Sequence, residues 1–416
     1  MIKIKIPANN IQERKYIIEV VFSEFLGLDH QVETGSDEYE ILLPNQRTLL
    51  IKDTFFNKYP DDLTYLKLEN IPKGIKELDV FATCFFMLTR WEEYVNKKRD
   101  RHNRFPATES LAYKEGFLNR PIVNEKIEAL KKRLLEKDNT LLFKKREFTL
   151  VLTHDVDSLY RWKNLSQLFR TVAGDILKRK NPGLAMERVK EYSLVKTKKR
   201  KDPFDTFDWL MDKSEKAGIK SRFYFMSGGV TVYDNHYRID EQKTLELIEK
   251  IRERGHLIGI HPSYNAYNDG EQLKKEKIIL ENIVKQKITE GREHYLRFEV
   301  PTTWQIWEDN GMEIDSTCGY ADREGFRCGT GDPFSVFNIL TRQKLKLKER
   351  PLIVMDGSFT TYQENMTDRE MEKKVTSLVK KAREYNTTCT ILWHNSSFYG
   401  ALKKNHTALY DRVLKV

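Results

Sequence analysis

A chain of 416 residues with 39% hydrophobic and 32% charged positions can bury a large core, and its length suggests two domains. Its longest apolar stretch, near Val80 to Leu88, is too short to cross a bilayer. The four cysteines (Cys84, Cys318, Cys328 and Cys389) form no C-x-x-C pair, which excludes a zinc knuckle or disulfide framework. The first ten residues lack the apolar core of a secretory signal, so the expected location is cytoplasmic.

Residues 1–146 read as a small α/β domain. Tyr16 to Phe25 has a helical apolar period that stops before Gly27. Glu38 to Leu43 and Thr48 to Lys52 read as strands around a Pro-Asn turn. Val80 to Tyr94 predicts one strongly apolar helix, and Val123 to Leu135 a further amphipathic one. Between them, Asp100 to Pro106 reads as a polar loop with His102 as a surface residue. The region offers no nucleophile, phosphate loop or metal spacing, and its expected role is to pack on, or help close, a site formed later in the chain.

From residue 147 to 416 the pattern changes. Thr149 to Asp157 is an apolar strand that ends in two carboxylates, Asp155 and Asp157, on one face of an extended backbone. Carboxylates that close repel unless a cation stands between them or one is protonated. A helical insertion at about 161–203 follows, with Trp162, Leu165, Leu168, Phe169, Val172, Ile176 and Leu177 at helical spacing. Packing of this stripe against the first domain is expected, with contact to a membrane surface as the other use. Lys196 to Lys201 then holds five bases in six positions. No aromatic stacking pattern accompanies them, so a solvated loop is expected rather than a contact with nucleic acid or an anionic membrane surface, with a phosphate-bearing substrate as the middle case.

Strands and helices alternate to the end of the chain. Ser221–Met226, His256–Ile260, His294–Phe298, Leu352–Met355 and Thr388–Trp393 read as strands. Thr367 and Glu370 form a capping box that opens a helix. Such alternation predicts a parallel sheet or barrel. Strand after strand ends in a chemically useful group: Asp155 and Asp157, His261, Arg297, Asp356, His394. Active sites of barrels are assembled from strand C-termini. A carboxylate and an imidazole can hold a divalent cation, a second carboxylate can take a proton from water, and a separate histidine can protonate a leaving nitrogen.

The ordered motifs T-x-D-x-D, G-H-x-I-G-x-H-x-S from Gly255, R-x-x-x-P from Arg297 and L-x-H from Leu392 resemble the polysaccharide deacetylases, the NodB-homology enzymes of carbohydrate esterase family four. Leu88 to Tyr94 and Asn119 to Val123 resemble the N-terminal domain that accompanies a bacterial subgroup of them. The resemblance implies a distorted (β/α) barrel of about seven strands and removal of an N-acetyl group from a sugar, using a divalent metal ion, zinc. Its implied roles are Asp155 as base, Arg297 as the arginine that contacts it and His394 as leaving-group acid. Asp157, His261 and Asn265 are implied as metal ligands, with Tyr264, Trp304 and Asp356 at the substrate.

Two positions depart from the family pattern. Val156 separates the acids, which the family usually has adjacent, and Asn265 stands where the second metal histidine is expected. Asn265 or a water completes the metal shell, or another residue such as His256 or His294 replaces it, or the metal is lost. In that last case the domain is catalytically impaired and binds a saccharide or protein partner. The expected substrate is an N-acetylated saccharide or its nucleotide- or lipid-linked precursor.

Overall fold

A computed structural model describes residues 1–234, 237–363, 366–400 and 403–415. The chain opens with β1 (Ile2–Ile6), whose isoleucines are buried and lysines exposed, the signature of a sheet covered on one face. Helix α1 (Ile11–Glu19) runs on as a π-helical segment, Val20–Leu26, and Gly27 ends it at φ 68°. Three further strands, β2 (His30–Thr34), β3 (Tyr39–Leu42) and β4 (Thr48–Ile51), complete a sheet of order β2-β1-β3-β4.

The apolar run expected as one helix is two, α2 (Val80–Thr89) and α3 (Trp91–Val95). Arg90 between them has a left-handed φ of 54°, and its guanidinium is buried against Glu93 at 2.9 Å. That ion pair keeps a charged break inside an apolar stretch. Helices α4 (Leu111–Lys114) and α5 (Ile122–Lys137) follow.

The second sheet starts at β5 (Thr149–Val156). Helices α6 (Leu165–Leu177) and α7 (Pro182–Lys196) form the insertion. Among the described residues its stripe does not cover the first region: α6 packs against α7, and Leu165, Phe169 and Ile176 are 57%, 68% and 47% exposed. Then come α8 (Phe207–Lys216), β6 (Arg222–Phe225), α9 (Gln242–Glu253), β7 (Leu257–Ile260), α10 (Gly270–Val284) and the two-residue β8 (Glu290–Gly291). They are followed by α11 (Thr302–Asp309), β9 (Ile314–Asp315), β10 (Phe334–Asn338), β11 (Gln343–Glu349) and β12 (Leu352–Met355). The chain closes with α12 (Asp356–Thr361), α13 (Asp368–Glu384), β13 (Thr388–Leu392) and α14 (Lys403–Val413). The Thr367–Glu370 capping box forms at the start of α13.

This is an α/β fold, but its strand number and closure differ from a seven-stranded barrel. Among the described residues the sheet has nine strands in the order β10-β11-β9-β8-β7-β6-β5-β13-β12. All neighbours are parallel except the β10–β11 pair. β10 is an edge strand joined to β11 by a short turn, and β8 and β9 are two residues each, too short for a periodic signal. The segment expected as a strand at His294–Phe298 begins instead with a tight turn, with φ of 61° at Tyr295 and 54° at Leu296.

Register fixes the site. Val156, Phe225 and Ile260 stand side by side on β5, β6 and β7, so Asp157 and His261 leave the sheet at one edge. On the other flank Thr153 pairs with Leu392, which brings His394 to the same edge. The core is continuous between the two sheets: the Tyr16 ring stacks on Phe337 at 4.6 Å, and its hydroxyl donates to the Ser335 carbonyl at 2.9 Å.

Candidate metal centre

A cavity of about 340 Å³ opens at this edge, and Asp155, Asp157, His261, His294, His394, Tyr233 and Tyr295 are among the residues that line it. Three ligand atoms converge in its floor. His261 Nε2 lies 2.8 Å from His294 Nδ1, and Asp157 Oδ1 lies 3.3 Å from the first and 3.7 Å from the second.

The partners of the remaining ring nitrogens set the tautomers. His261 Nδ1 is 2.7 Å from the Arg292 carbonyl, and His294 Nε2 is 2.7 Å from the Tyr233 carbonyl. A carbonyl only accepts, so each of those nitrogens carries the hydrogen. In the neutral rings the two nitrogens that face each other are therefore bare. Asp157 Oδ1, buried beside them, finds no hydrogen-bond donor among the described residues when both rings are neutral. Two lone pairs and a carboxylate oxygen at this distance need a positive charge among them. Burial lowers the His294 pKa to about 4, which keeps that ring neutral. Burial would lower His261 as well, but the Asp155 and Asp157 carboxylates outweigh it and raise it. A proton satisfies one lone pair, whereas a divalent cation satisfies all three atoms. Ligands about 2.1 Å from a tetrahedral zinc stand roughly 3.4 Å apart, which fits this cradle. The Arg292 and Tyr233 carbonyls orient the imidazoles as the hydrogen-bond partners of metal-binding histidines do.

Asp155 sits beside the cradle and is nearly fully buried. Arg292, also buried, donates to Asp155 Oδ1 at 2.8 Å and to Thr153 Oγ1 at 2.9 Å, and its Nε donates to the Ser316 carbonyl at 2.8 Å. On the opposite wall, His394 Nε2 points at Asp157 Oδ2 from 3.6 Å while its Nδ1 donates to Asp356 Oδ1 at 2.7 Å. Burial would lower the His394 pKa, but Asp356 chiefly, with Asp157 and Asp155, raises it to about 10. The Asp356 carboxyl also accepts from the His394 backbone N–H and from Ser397 Oγ.

The structure thus brings Asp155, Asp157, His261, His394 and Asp356 together, and sets the four other expected residues apart. Arg297 does not reach Asp155: its Nε donates to the His102 carbonyl at 3.0 Å, and its guanidinium stacks over Tyr264 and Tyr267. The turn at Tyr295–Leu296 directs it there, and Arg292, next to the short β8, takes the contact with the acid. Asn265 accepts from Arg297 at 3.1 Å, away from the cradle, whose second imidazole is His294. Trp304 is fully buried, with its indole N–H donating to Glu349 at 3.1 Å, so it lines core rather than cavity. Tyr264 lies one layer behind the wall, packed on Tyr233 at 4.5 Å and bonded through its hydroxyl to His102 Nδ1 at 3.0 Å. His102 is accordingly buried rather than a surface residue.

One wall residue comes from the first third of the chain. Arg104 lines the cavity, donating to the Tyr295 carbonyl and the Tyr362 hydroxyl at 2.9 Å each. Asp100 holds its other edge at 2.6 Å.

A family of unknown function (DUF7033) matches residues 2–139. That span includes Arg104 and stops before β5 and the rest of the cavity wall. No curated protein matches the chain. Among solved structures, it is similar to a protein from Mycobacterium smegmatis described as a polysaccharide deacetylase, at 12% identity and TM-score 0.42. It is similar to the allantoinase Puue at the same two values, and to a probable polysaccharide deacetylase from Pseudomonas aeruginosa at 14% and 0.40. Each comparison covers 65% of this chain and 84% of the other. At such identities and scores no activity passes from one protein to another.

Among the described residues, no helix is long and apolar enough to cross a membrane.

Proposed function

We propose that this chain is a metal-dependent amide hydrolase that removes the N-acetyl group of a saccharide, with zinc as the ion. The observation that carries the reading is the convergence of two facing imidazole nitrogens and a buried carboxylate oxygen without a hydrogen-bond partner among the described residues, flanked by a second carboxylate and by His394 paired with Asp356. Asp157, His261 and His294 would hold the metal, which when bound supplies a Lewis acid for the amide carbonyl and for a water. Asp155, oriented by Arg292, accepts the proton of the attacking water as its oxygen bonds to the carbonyl carbon. His394, kept charged by Asp356, gives its Nε2 proton to the nitrogen as the C–N bond breaks. Acetate and a free amine result. Arg104 and the rings of Tyr233, Tyr295 and Tyr362 form a wall suited to a polyhydroxylated ring, with flat faces and hydroxyl partners. The chemistry belongs to residues 147–416, and residues 1–146 contribute the Arg104 side of the mouth.

The test strips the protein with a chelator, reloads it with zinc, and measures both metal binding by calorimetry and acetate release from N-acetylated chito-oligosaccharides. One ion per chain, lost in His261→Ala, and acetate release only when zinc is present are expected. A chain that takes up no metal would sink the proposal. Metal binding without acetate release from any acetylated sugar would make it a saccharide-binding relative.

A further inference from the structure

The chain's net charge is not spread over the molecule. Residues 161–201 contain thirteen lysines and arginines against three acids, a balance of +10 that equals the formal charge of the whole protein. The other 375 residues are neutral in sum. Two of the three acids are used within the hairpin or at its base. Asp175 pairs with Arg179 and lies 3.8 Å from Arg188, and Glu191 accepts from the Trp162 indole at 2.7 Å and from the Tyr399 hydroxyl at 2.9 Å. Lys178, Lys180, Lys190, Lys198, Lys199 and Arg200 are exposed.

The same hairpin carries an apolar stripe with no cover. Leu165, Phe169 and Ile176 fall at i, i+4 and i+11 on one side of α6, and Leu177 beside them is 75% exposed. The inward side of α6 is Leu168 and Asp175, both buried. On α7, Met186 is 75% exposed. Large side chains exposed at helical spacing, with cations around them, are the composition of a helix that lies in a membrane interface. A nucleic acid would use the cations and leave Phe169 and Ile176 without a role.

The hairpin is linked to two segments that carry cavity residues, by sequence before α6 and by a contact from within α7. Leu165 is eight residues after Asp157, and Arg188 contacts Tyr399, five residues after His394. The loop that supplies Tyr233 to the cavity wall also exposes Val230 and Val232.

The geometry points to α6–α7 as a docking element that seats the protein on an anionic bilayer, with the Phe169 stripe in the interface and the basic residues at the headgroups. Docking in this way places the strand-end cavity beside the lipid surface, where a membrane-borne substrate would be presented. The placement does not depend on what the cavity hydrolyses.

The experiment is co-sedimentation of the full chain with phosphatidylcholine vesicles containing 30% phosphatidylglycerol, and with vesicles of phosphatidylcholine alone. Binding to the first and not the second, weakening as salt rises, is expected. Each base near the surface contributes roughly a fivefold factor, so changing Lys196, Lys198, Lys199 and Lys201 to Gln should weaken binding about a hundredfold or more. Phe169→Glu with Ile176→Glu should abolish it. Both sets are exposed, and unchanged circular dichroism and thermal melting would show that the fold is retained. Absence of vesicle binding, or binding equal for the two lipids, overturns the proposal. So does duplex DNA binding that survives Phe169→Glu with Ile176→Glu, or a dimer without lipid that Phe169→Glu dissociates.

Discussion

Two clusters of buried charge in this molecule are built on opposite rules. Around Glu93 the charged atoms find partners. Its carboxylate accepts from Arg90 Nε and Arg327 Nε at 2.9 Å each and from a second Arg327 nitrogen, while Arg327 Nη1 reaches the Gly319 carbonyl at 2.8 Å. Burial opposes the charge on Glu93, but Arg327 and Arg90 outweigh it and lower the carboxyl to about 2. In the cradle around Asp157 the reverse holds: an oxygen without a donor among the described residues, and two imidazoles held by backbone carbonyls so that, when neutral, their lone pairs face each other. A saturated cluster spanning residues 93 and 327 joins the two regions of the chain, whereas an unsaturated one is a place for something else to bind. Burial and charge are common to both, so satisfaction is what separates a fastening from a site.

That contrast can be broken by mutation. Asp155→Asn keeps an oxygen for Arg292 but removes the base, and acetate release should fall by roughly 10³-fold with the fold retained by circular dichroism. A rate within a few-fold of the parent would remove Asp155 from the chemistry. In the saturated cluster, Glu93→Ala leaves two buried guanidinium groups short of an anion. It should cost about 3–5 kcal/mol in urea denaturation while the remaining folded protein still binds zinc. A third change, His294→Ala, takes one lone pair out of the cradle. It should weaken zinc binding by roughly 10²-fold in calorimetry and leave the metal-free melting temperature unchanged or slightly higher. A large loss of metal-free stability would show that His294 is structural, as Glu93 is.

The smallest effect concerns pH. Burial raises the Glu92 carboxyl from 4.5 to about 7, against the pull of Arg90. A group whose folded pKa is raised contributes stability that is full below the unfolded value and lost as pH rises through the folded one. The parent should therefore lose stability relative to Glu92→Gln between pH 4.5 and about 7, and the difference should level off above that. A difference that stays flat with pH would mean that Glu92 is ionised throughout.

Much of the site was legible because β5, β7, β12 and β13 are apolar runs long enough to read, and each is followed within two residues by a polar one: Asp157, His261, Asp356, His394. The rest was hidden by local geometry. Arg292 follows a two-residue strand that carries no periodic signal. His294 opens a segment whose apolar residues look like a strand, but the left-handed backbone at Tyr295 and Leu296 makes it a turn and sends Arg297 elsewhere. The outward stripe of α6 has the same period as an inward one, so the sequence could not say which way it faced. Arg104 lies 51 residues before Asp155, and only the tertiary fold places it in the wall.

That last residue has a consequence for how the protein could be re-engineered. The residues of the candidate centre all lie between 147 and 416, yet one side of the entrance is borrowed from the segment matched by the family of unknown function. Under the proposed function, exchanging that segment between relatives should leave the bond-breaking groups intact and alter which molecules are admitted. Selectivity and reactivity are in this sense separable parts, joined along the contacts of one arginine with Tyr295 and Tyr362.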